Sequence, residues 1–220
     1  MADRIITLDN NFEVLYEDGL DGGGHDHLPD FKNAVALSGK EHYDRAVEWC
    51  AGFGVIGFDF LNRAACGHMS FIECHAPAIR WLDETAKHNQ IESKVTTYLT
   101  DTIASISDEV KWDLVLANPP HAFDISTTRA FEETVQQPQL ADVLRLTCDL
   151  DFKIHKEFFE NIKAHLLPGA DIFISEVGYL EEIEKMAVAF GLEVVARHPA
   201  PKLSINSSTN AVVFHFKEPQ

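Results

Sequence analysis

From Ala46 to Phe216 the sequence alternates short apolar segments with stretches patterned like helices, and this constrains the fold more than any other feature. Strands are expected at Ala46–Cys50, Met69–Cys74, Val95–Leu99, Asp113–Ala117, Asp171–Ser175, Leu192–Ala196 and Ala211–Phe216. Helices are expected at Val55–Cys66 and at Pro77–His88, where Ile79, Leu82 and Ala86 share a face and Pro77 suits the first turn. A further stripe of Phe152, His155, Phe159, Ile162 and Leu166, ended by Pro168-Gly169, reads as a core-facing helix. Ile183, Met186, Ala187 and Phe190 mark the last helix, stopped by Gly191. Strands separated by helices of this length form βαβ units, hence an α/β chain around a buried parallel sheet. Ligands of such sheets sit beyond the carboxyl ends of the strands, so the chemistry is sought there.

The first strand runs into Glu48-Trp49-Cys50-Ala51-Gly52-Phe53-Gly54-Val55-Ile56-Gly57, in which Gly52, Gly54 and Gly57 spell G-x-G-x-x-G. Glycines there permit a tight turn and close approach of a ligand to the backbone. Glu73 ends the second strand, where a carboxylate can accept both hydroxyls of a ribose. Asp101 follows the third and can accept from an adenine amino group.

Asn118-Pro119-Pro120-His121 directly follows the fourth strand. The two prolines stiffen the backbone and remove two N–H donors. Carbonyl oxygens, including that of the Asn118 side chain, then face outward as paired acceptors for a planar NH₂ group. Such acceptors aim the nitrogen lone pair and offset positive charge as it develops. The ring of His121 can cover the flat face of the same target.

These residues resemble the class I S-adenosylmethionine-dependent methyltransferases, specifically the amino-methyltransferases with an Asn-Pro-Pro-aromatic motif. The likeness covers roughly residues 45–216. Glu48 stands for the acid of that family's glycine turn, and Cys50 stands where many members have glycine. Within the group the sequence resembles the HemK-type protein-glutamine methyltransferases, because Leu167-Pro168-Gly169 and then Glu176-Val177-Gly178 follow in that order. It departs from them in having His121 for tyrosine and in lacking their N-terminal helical domain.

The resemblance implies a Rossmann-like fold: a mostly parallel seven-stranded sheet with an antiparallel C-terminal strand and helices on both faces. Residues 1–40 then form an N-terminal extension with short strands and a Gly/Asp-rich loop, and residues 41–220 the methyltransferase domain. It further implies that Glu48, Cys50, Ala51, Gly52 and Gly54 hold the methionine end of S-adenosylmethionine. Glu73 would take the ribose hydroxyls and Asp101 the adenine, and Asn118 would also contact the cofactor, while Asn118, Pro119, Pro120 and His121 form the catalytic motif. The expected reaction is N-methylation of an amide or exocyclic amine, foremost on a glutamine-like protein substrate. RNA or DNA bases and small molecules carrying a planar NH₂ are the alternatives. A non-catalytic cofactor-binding subunit that activates a partner is the reading from another class, and a nicotinamide oxidoreductase is a third.

Charge bears on the partner. Lys and Arg number 18 against 35 Asp and Glu, a formal net charge of −17, and the basic residues are scattered. That disfavours nucleic acid and anionic membranes, which attract basic stripes. The sequence has no signal-peptide pattern and no long apolar run, so a cytoplasmic protein with free thiols is expected. His25-Asp26-His27, in the Gly-rich stretch from Asp18, lacks a third ligand and is read as a plain loop, with no metal expected. Cys74 and Cys148 are candidate nucleophiles without an evident histidine partner. The stretch from His121 to Pro138 is a candidate substrate gate.

Overall fold

The computed structural model describes residues 4–17, 24–123, 148–202 and 210–219. In chain order the principal elements are β1 (Arg4–Thr7), β2 (Glu13–Tyr16), α1 (Gly24–Ala36), β3 (Tyr43–Trp49), α2 (Val55–Asn62), β4 (Cys66–Glu73), α3 (Ala76–His88), β5 (Val95–Leu99) and β6 (Trp112–Ala117). They continue with β7 (His121–Phe123), β8 (Cys148–Leu150), α4 (Lys153–Asn161), β9 (Leu166–Val177), α5 (Leu180–Ala189), β10 (Glu193–Pro199) and β11 (Ala211–Lys217).

Seven strands form one sheet in the order β10-β11-β9-β6-β3-β4-β5. The five from β5 to β9 run parallel, and β11 pairs antiparallel with both β9 and β10. Strand order reverses between β3 and β6, which makes the gap beyond their carboxyl ends the natural ligand crevice.

Apolar side chains alternate across the sheet. Ala46, Leu114, Leu116 and Phe173 pack under α1, α2 and α3 on one face. Val47, Trp49, Val115, Ile172 and Ile174 pack under α4 and α5 on the other. The expected Rossmann-like fold with helices on both faces is therefore the observed one. The N-terminal hairpin lies along α3: the Leu15 amide donates to Thr85 Oγ1 at 2.9 Å, and Asn89 Nδ2 donates to the Glu13 carbonyl at 2.8 Å.

Several local expectations are corrected. Gly24–His27 belong to the first turn of α1 rather than to a loop, because Leu28, Phe31, Ala34 and Val35 bury a helical face against the sheet. The helix from Val55 stops at Asn62, where Ala64 turns left-handed (φ 55°), and Cys66 already starts β4. The helix from Lys153 ends in a 3-10 turn, Ile162–His165. Pro168-Gly169 thus lie inside β9, not at a helix stop. They fall where the β6–β9 register shifts, and Gly169 has φ 75°. A bulge of this kind tolerates the absence of the N–H donor that proline lacks. Finally, His121–Phe123 form β7, paired parallel with β8, instead of opening a loop. The rest of the expected gate, residues 124–138, lies outside the described residues.

Candidate functional site

Beyond the carboxyl end of β3 the chain makes a compact turn. Cys50 is left-handed (φ 56°), as are Gly52 (φ 54°) and Gly54 (φ 76°). The Gly54 amide closes the turn on the Ala51 carbonyl at 2.8 Å, and the Ala51 amide donates to the Ile72 carbonyl of β4 at 3.1 Å. Phe53 is buried and stacks on Tyr16 of β2, ring centroids 4.8 Å apart, so the N-terminal hairpin braces the turn from outside.

Two of the glycines answer to packing. A Cβ on Gly54 would meet Leu82 Cδ2 at 2.4 Å and Phe71 Cε1 at 2.8 Å. One on Gly57 would meet Phe71 Cε1 at 2.6 Å and Glu48 Oε2 at 2.7 Å. Both positions are required by close packing of the turn and the first turn of α2 against β3, β4 and α3.

Glu48 sits beneath the turn. It is 3% exposed, and its Oε2 accepts from the Gly57 amide at 2.7 Å, tying β3 to the first turn of α2. Burial pushes its carboxyl up to about 8 against the opposing Gly57 hydrogen bond, and the nearby Glu73 pushes the same way. With so little of its surface open, Glu48 shapes the turn from below.

Glu73, at the end of β4, is buried at the rim. Its Oε2 accepts from the Gly52 amide at 2.8 Å and its Oε1 from the His75 amide at 2.8 Å. Each oxygen retains a further lone pair, so the carboxylate can still accept two hydroxyls. Asp101 stands exposed in the turn after β5. The rim thus carries carboxylates at the ends of β4 and β5, an acceptor set matched to hydroxyls, an amino group and a cation rather than to phosphate.

Neither Cys50 nor Cys74 sits where its thiolate is favoured. Burial raises Cys50 well above the usual thiol range, and burial together with Glu73 raises Cys74 to about 11. All four cysteines are free.

Asn118 and Pro120 are half-buried and Pro119 buried, beyond the end of β6. Ser175 of β9 fixes the amide: its Oγ lies 2.6 Å from Asn118 Oδ1 and 3.3 Å from the Ala117 carbonyl. Ser175 was not evident in the sequence, because nothing in its own strand marks it as the neighbour of Asn118.

His121 is held from one side. Its Nδ1 is 3.1 Å from Glu176 Oε1, and its side chain is 23% exposed. Glu176 is fully buried, and its Oε1 also accepts from the Val177 amide at 2.8 Å. Its Oε2 stands 2.9 Å from His155 Nε2 as an ion pair. His155 Nδ1 is in turn 2.7 Å from Asp149 Oδ2, and the Ile154 and His155 amides donate to the same carboxylate at 2.9 and 3.0 Å. Burial opposes charge on His155, but the hydrogen bonds to Asp149 and Glu176 outweigh it and raise the ring to about 9. For Glu176, the two histidines outweigh burial and hold the carboxyl below its ordinary range. In the sequence, His155 lay hidden in an apolar helix stripe, where a titratable residue on a core face was the available signal.

The family of the methyltransferase small domain matches residues 6–142, more than half of the chain. The chain belongs to that family. It is a methyltransferase, and the S-adenosylmethionine cofactor expected from the sequence stands with it. No curated protein matches the sequence. Among solved structures, the ribosomal protein L11 methylase of Lactobacillus delbrueckii subsp. bulgaricus is similar over 90% of this chain and 82% of its own, with a TM-score of 0.61 and 12% identity. Trm5 of Methanocaldococcus jannaschii, solved with adenosine, is similar over 99% of this chain but 56% of its own, with a TM-score of 0.62 and 17% identity. The glycopeptide N-methyltransferase MtfA, complexed with S-adenosyl-L-methionine, covers 86% and 93% with a TM-score of 0.59 and 10% identity. At these identities the likeness is one of fold. The chain spans little more than half of Trm5. None of the helices among the described residues is long and apolar enough to cross a membrane.

Proposed function

We propose that this chain N-methylates a planar amide or exocyclic amine, foremost a glutamine-like side chain of a protein, in the manner of the HemK-type enzymes. The observation that carries the reading is Asn118-Pro119-Pro120 at the end of β6, beside the crevice where strand order reverses, with the Asn118 amide held by Ser175. In this reading S-adenosylmethionine supplies an electrophilic methyl on a sulfonium, and the chain's residues hold both partners of the transfer. Glu73 takes the ribose hydroxyls and Asp101 the adenine amino group. Cys50, Ala51, Gly52 and Gly54 line the methionine end through their backbone, and Glu48 supports that turn from beneath. Asn118 Oδ1 and the carbonyl oxygens before the prolines each accept one proton of the target NH₂. Both protons are then fixed, and the nitrogen lone pair points along the line of attack. Pro119 and Pro120 keep competing donors away, and the His121 ring flanks the target.

The acidic balance of the chain favours a protein or small substrate over nucleic acid. We assign residues 41–220 to the methyltransferase domain and residues 1–40 to an N-terminal extension. Its Tyr16–Phe53 stack steadies the glycine turn.

The test is titration of the chain with S-adenosylmethionine by calorimetry, followed by incubation with methyl-labelled cofactor and separated protein and RNA fractions. Binding with label in protein, as N-methylglutamine, is the expected result. Label in RNA would make a base the acceptor. Binding without label in any fraction would make the chain a cofactor-binding subunit. No heat at high micromolar cofactor would overturn the reading altogether.

A further inference from the structure

Four titratable groups stand in line behind the Asn118-Pro119-Pro120-His121 motif, and three of them are buried. Asp149 comes from β8, His155 from α4 and Glu176 from β9; only His121, on β7, reaches the surface. Isolated charges are not buried without compensation. Here the compensation is mutual. His155 has a carboxylate against each ring nitrogen, at 2.7 and 2.9 Å, so a neutral ring would set one lone pair against a carboxylate oxygen. The two carboxylates favour the imidazolium form of His155, in which the trio of Asp149, His155 and Glu176 carries one net negative charge.

That surplus charge faces His121. With Glu176 as an acceptor 3.1 Å from Nδ1, the neutral His121 ring carries its proton on Nδ1. The lone pair is then on Nε2, which has no hydrogen-bond partner among the described residues. We propose that Asp149, His155 and Glu176 are positioning residues that lock His121 in this tautomer, so that Nε2 accepts the proton released by the methylated nitrogen. The inference rests on the N-methyltransferase reading of the site.

The proton step balances. A nitrogen that has gained a methyl group carries one proton too many. Its N–H bond breaks with the electrons staying on nitrogen, and the proton bonds to the Nε2 lone pair. The His121 imidazolium then lies against Glu176, and the four groups together become neutral. The other groups bordering this step are Cys148, which pairs with His121 across β7 and β8, and the indole of Trp49, whose ring centroid lies 6.2 Å from that of His155. The arrangement also accounts for histidine where the resembled family has tyrosine: a tyrosine could flank the target but could not take the proton at neutral pH.

The experiment is ¹⁵N imidazole spectroscopy of the full chain, alone and with S-adenosylhomocysteine, with His121 and His155 assigned by the spectra of His121→Gln and His155→Gln. In its neutral form His121 is expected to carry its proton on Nδ1, and His155 is expected to be protonated on both nitrogens up to about pH 9. Glu176→Gln should shift His121 toward the Nε2–H tautomer. A His121 protonated on Nε2 in the unsubstituted chain would overturn the proposal, and that measurement needs no variant to fold. In turnover, His121→Gln should lower kcat about 100-fold while leaving cofactor affinity unchanged within threefold. A His121→Tyr chain with undiminished kcat would also overturn it. Cofactor binding by calorimetry separates the two readings: its absence sinks the methyltransferase site and leaves the tautomer result standing, whereas the wrong tautomer with intact binding sinks only the relay.

Discussion

Ser175 Oγ approaches Asn118 Oδ1 to 2.6 Å, from a strand more than fifty residues further along the chain. The contact spans the β6–β9 pair and sets which edge of the Asn118 amide faces the crevice. A single serine hydroxyl has one proton, and the 2.6 Å contact claims it over the 3.3 Å contact to the Ala117 carbonyl. Asn118 Oδ1 is left with a second lone pair for the target NH₂. Ser175→Ala should therefore free the amide to rotate, lowering kcat by roughly three- to tenfold with little change in cofactor affinity. Steady-state kinetics at saturating cofactor would check this.

Asn118→Ala removes a side-chain acceptor for the developing cation. A loss of about 10²–10³ in kcat is expected, with S-adenosylmethionine binding retained within threefold. Label transfer and calorimetry on the same preparation measure both. Full transfer by the variant would remove Asn118 from the site.

Glu48 gives a pH dependence with a defined sign. Burial raises its carboxyl to about 8 in the folded chain, above the unfolded carboxylate value of roughly 4.3. The folded state thus binds more protons than the unfolded state between these values. Its contribution is fully present below the unfolded value and is lost as pH rises through about 8. Glu48→Gln keeps an acceptor for the Gly57 amide without the charge. It should raise Tm at pH 8 and change it little at pH 4, as read by thermal unfolding at both.

Asp171 has the opposite sign. Burial opposes its charge, but hydrogen bonds with His215 (2.6 Å), Lys217 (3.0 Å) and Tyr43 (3.0 Å) prevail and depress its folded value. Its stabilisation is present above the unfolded value of roughly 3.9 and is lost as pH falls through the folded one. Asp171→Ala, which strands these partners at the far end of the sheet from the crevice, should cost about 3–5 kcal/mol. The variant should also lose the acid-limb dependence seen in chemical denaturation of the parent.

Gly54→Ala forces an L residue to φ 76° and drives its Cβ to 2.4 Å from Leu82 Cδ2. The left-handed penalty and the overpacking together should destabilise the chain by roughly 2–5 kcal/mol. Urea unfolding would measure the loss.

Much of the site was legible because strand ends in a parallel sheet are fixed by local pattern. Val95–Leu99 was read residue for residue, and Glu73, Asp101 and Asn118 fall where strand ends predict. Legibility failed where a local signal was overridden by packing. Gly24-His25-Asp26-His27 looks like loop by composition, yet the apolar face from Leu28 to Val35 pulls it into a helix. Pro168-Gly169 looks like a helix stop and is instead a bulge, because the sheet recruits the chain from Leu166 onward. G-x-G-x-x-G gave the turn, but not that Gly54 and Gly57 are also required by Phe71, Leu82 and Glu48 pressing from within.

By itself the sequence determined the alternation that builds the sheet, the acids at the ends of its strands and the Asn-Pro-Pro-His turn beyond β6. These depend on neighbours in the chain, and hydrophobic period and backbone chemistry are local properties. Only the tertiary structure brought Ser175 to Asn118 and set Asp149, His155 and Glu176 behind His121. Whether a buried charge is tolerated, and which proton a histidine keeps, depends on groups within about 3 Å in space, and the packing of strands and helices decides which distant residues those are.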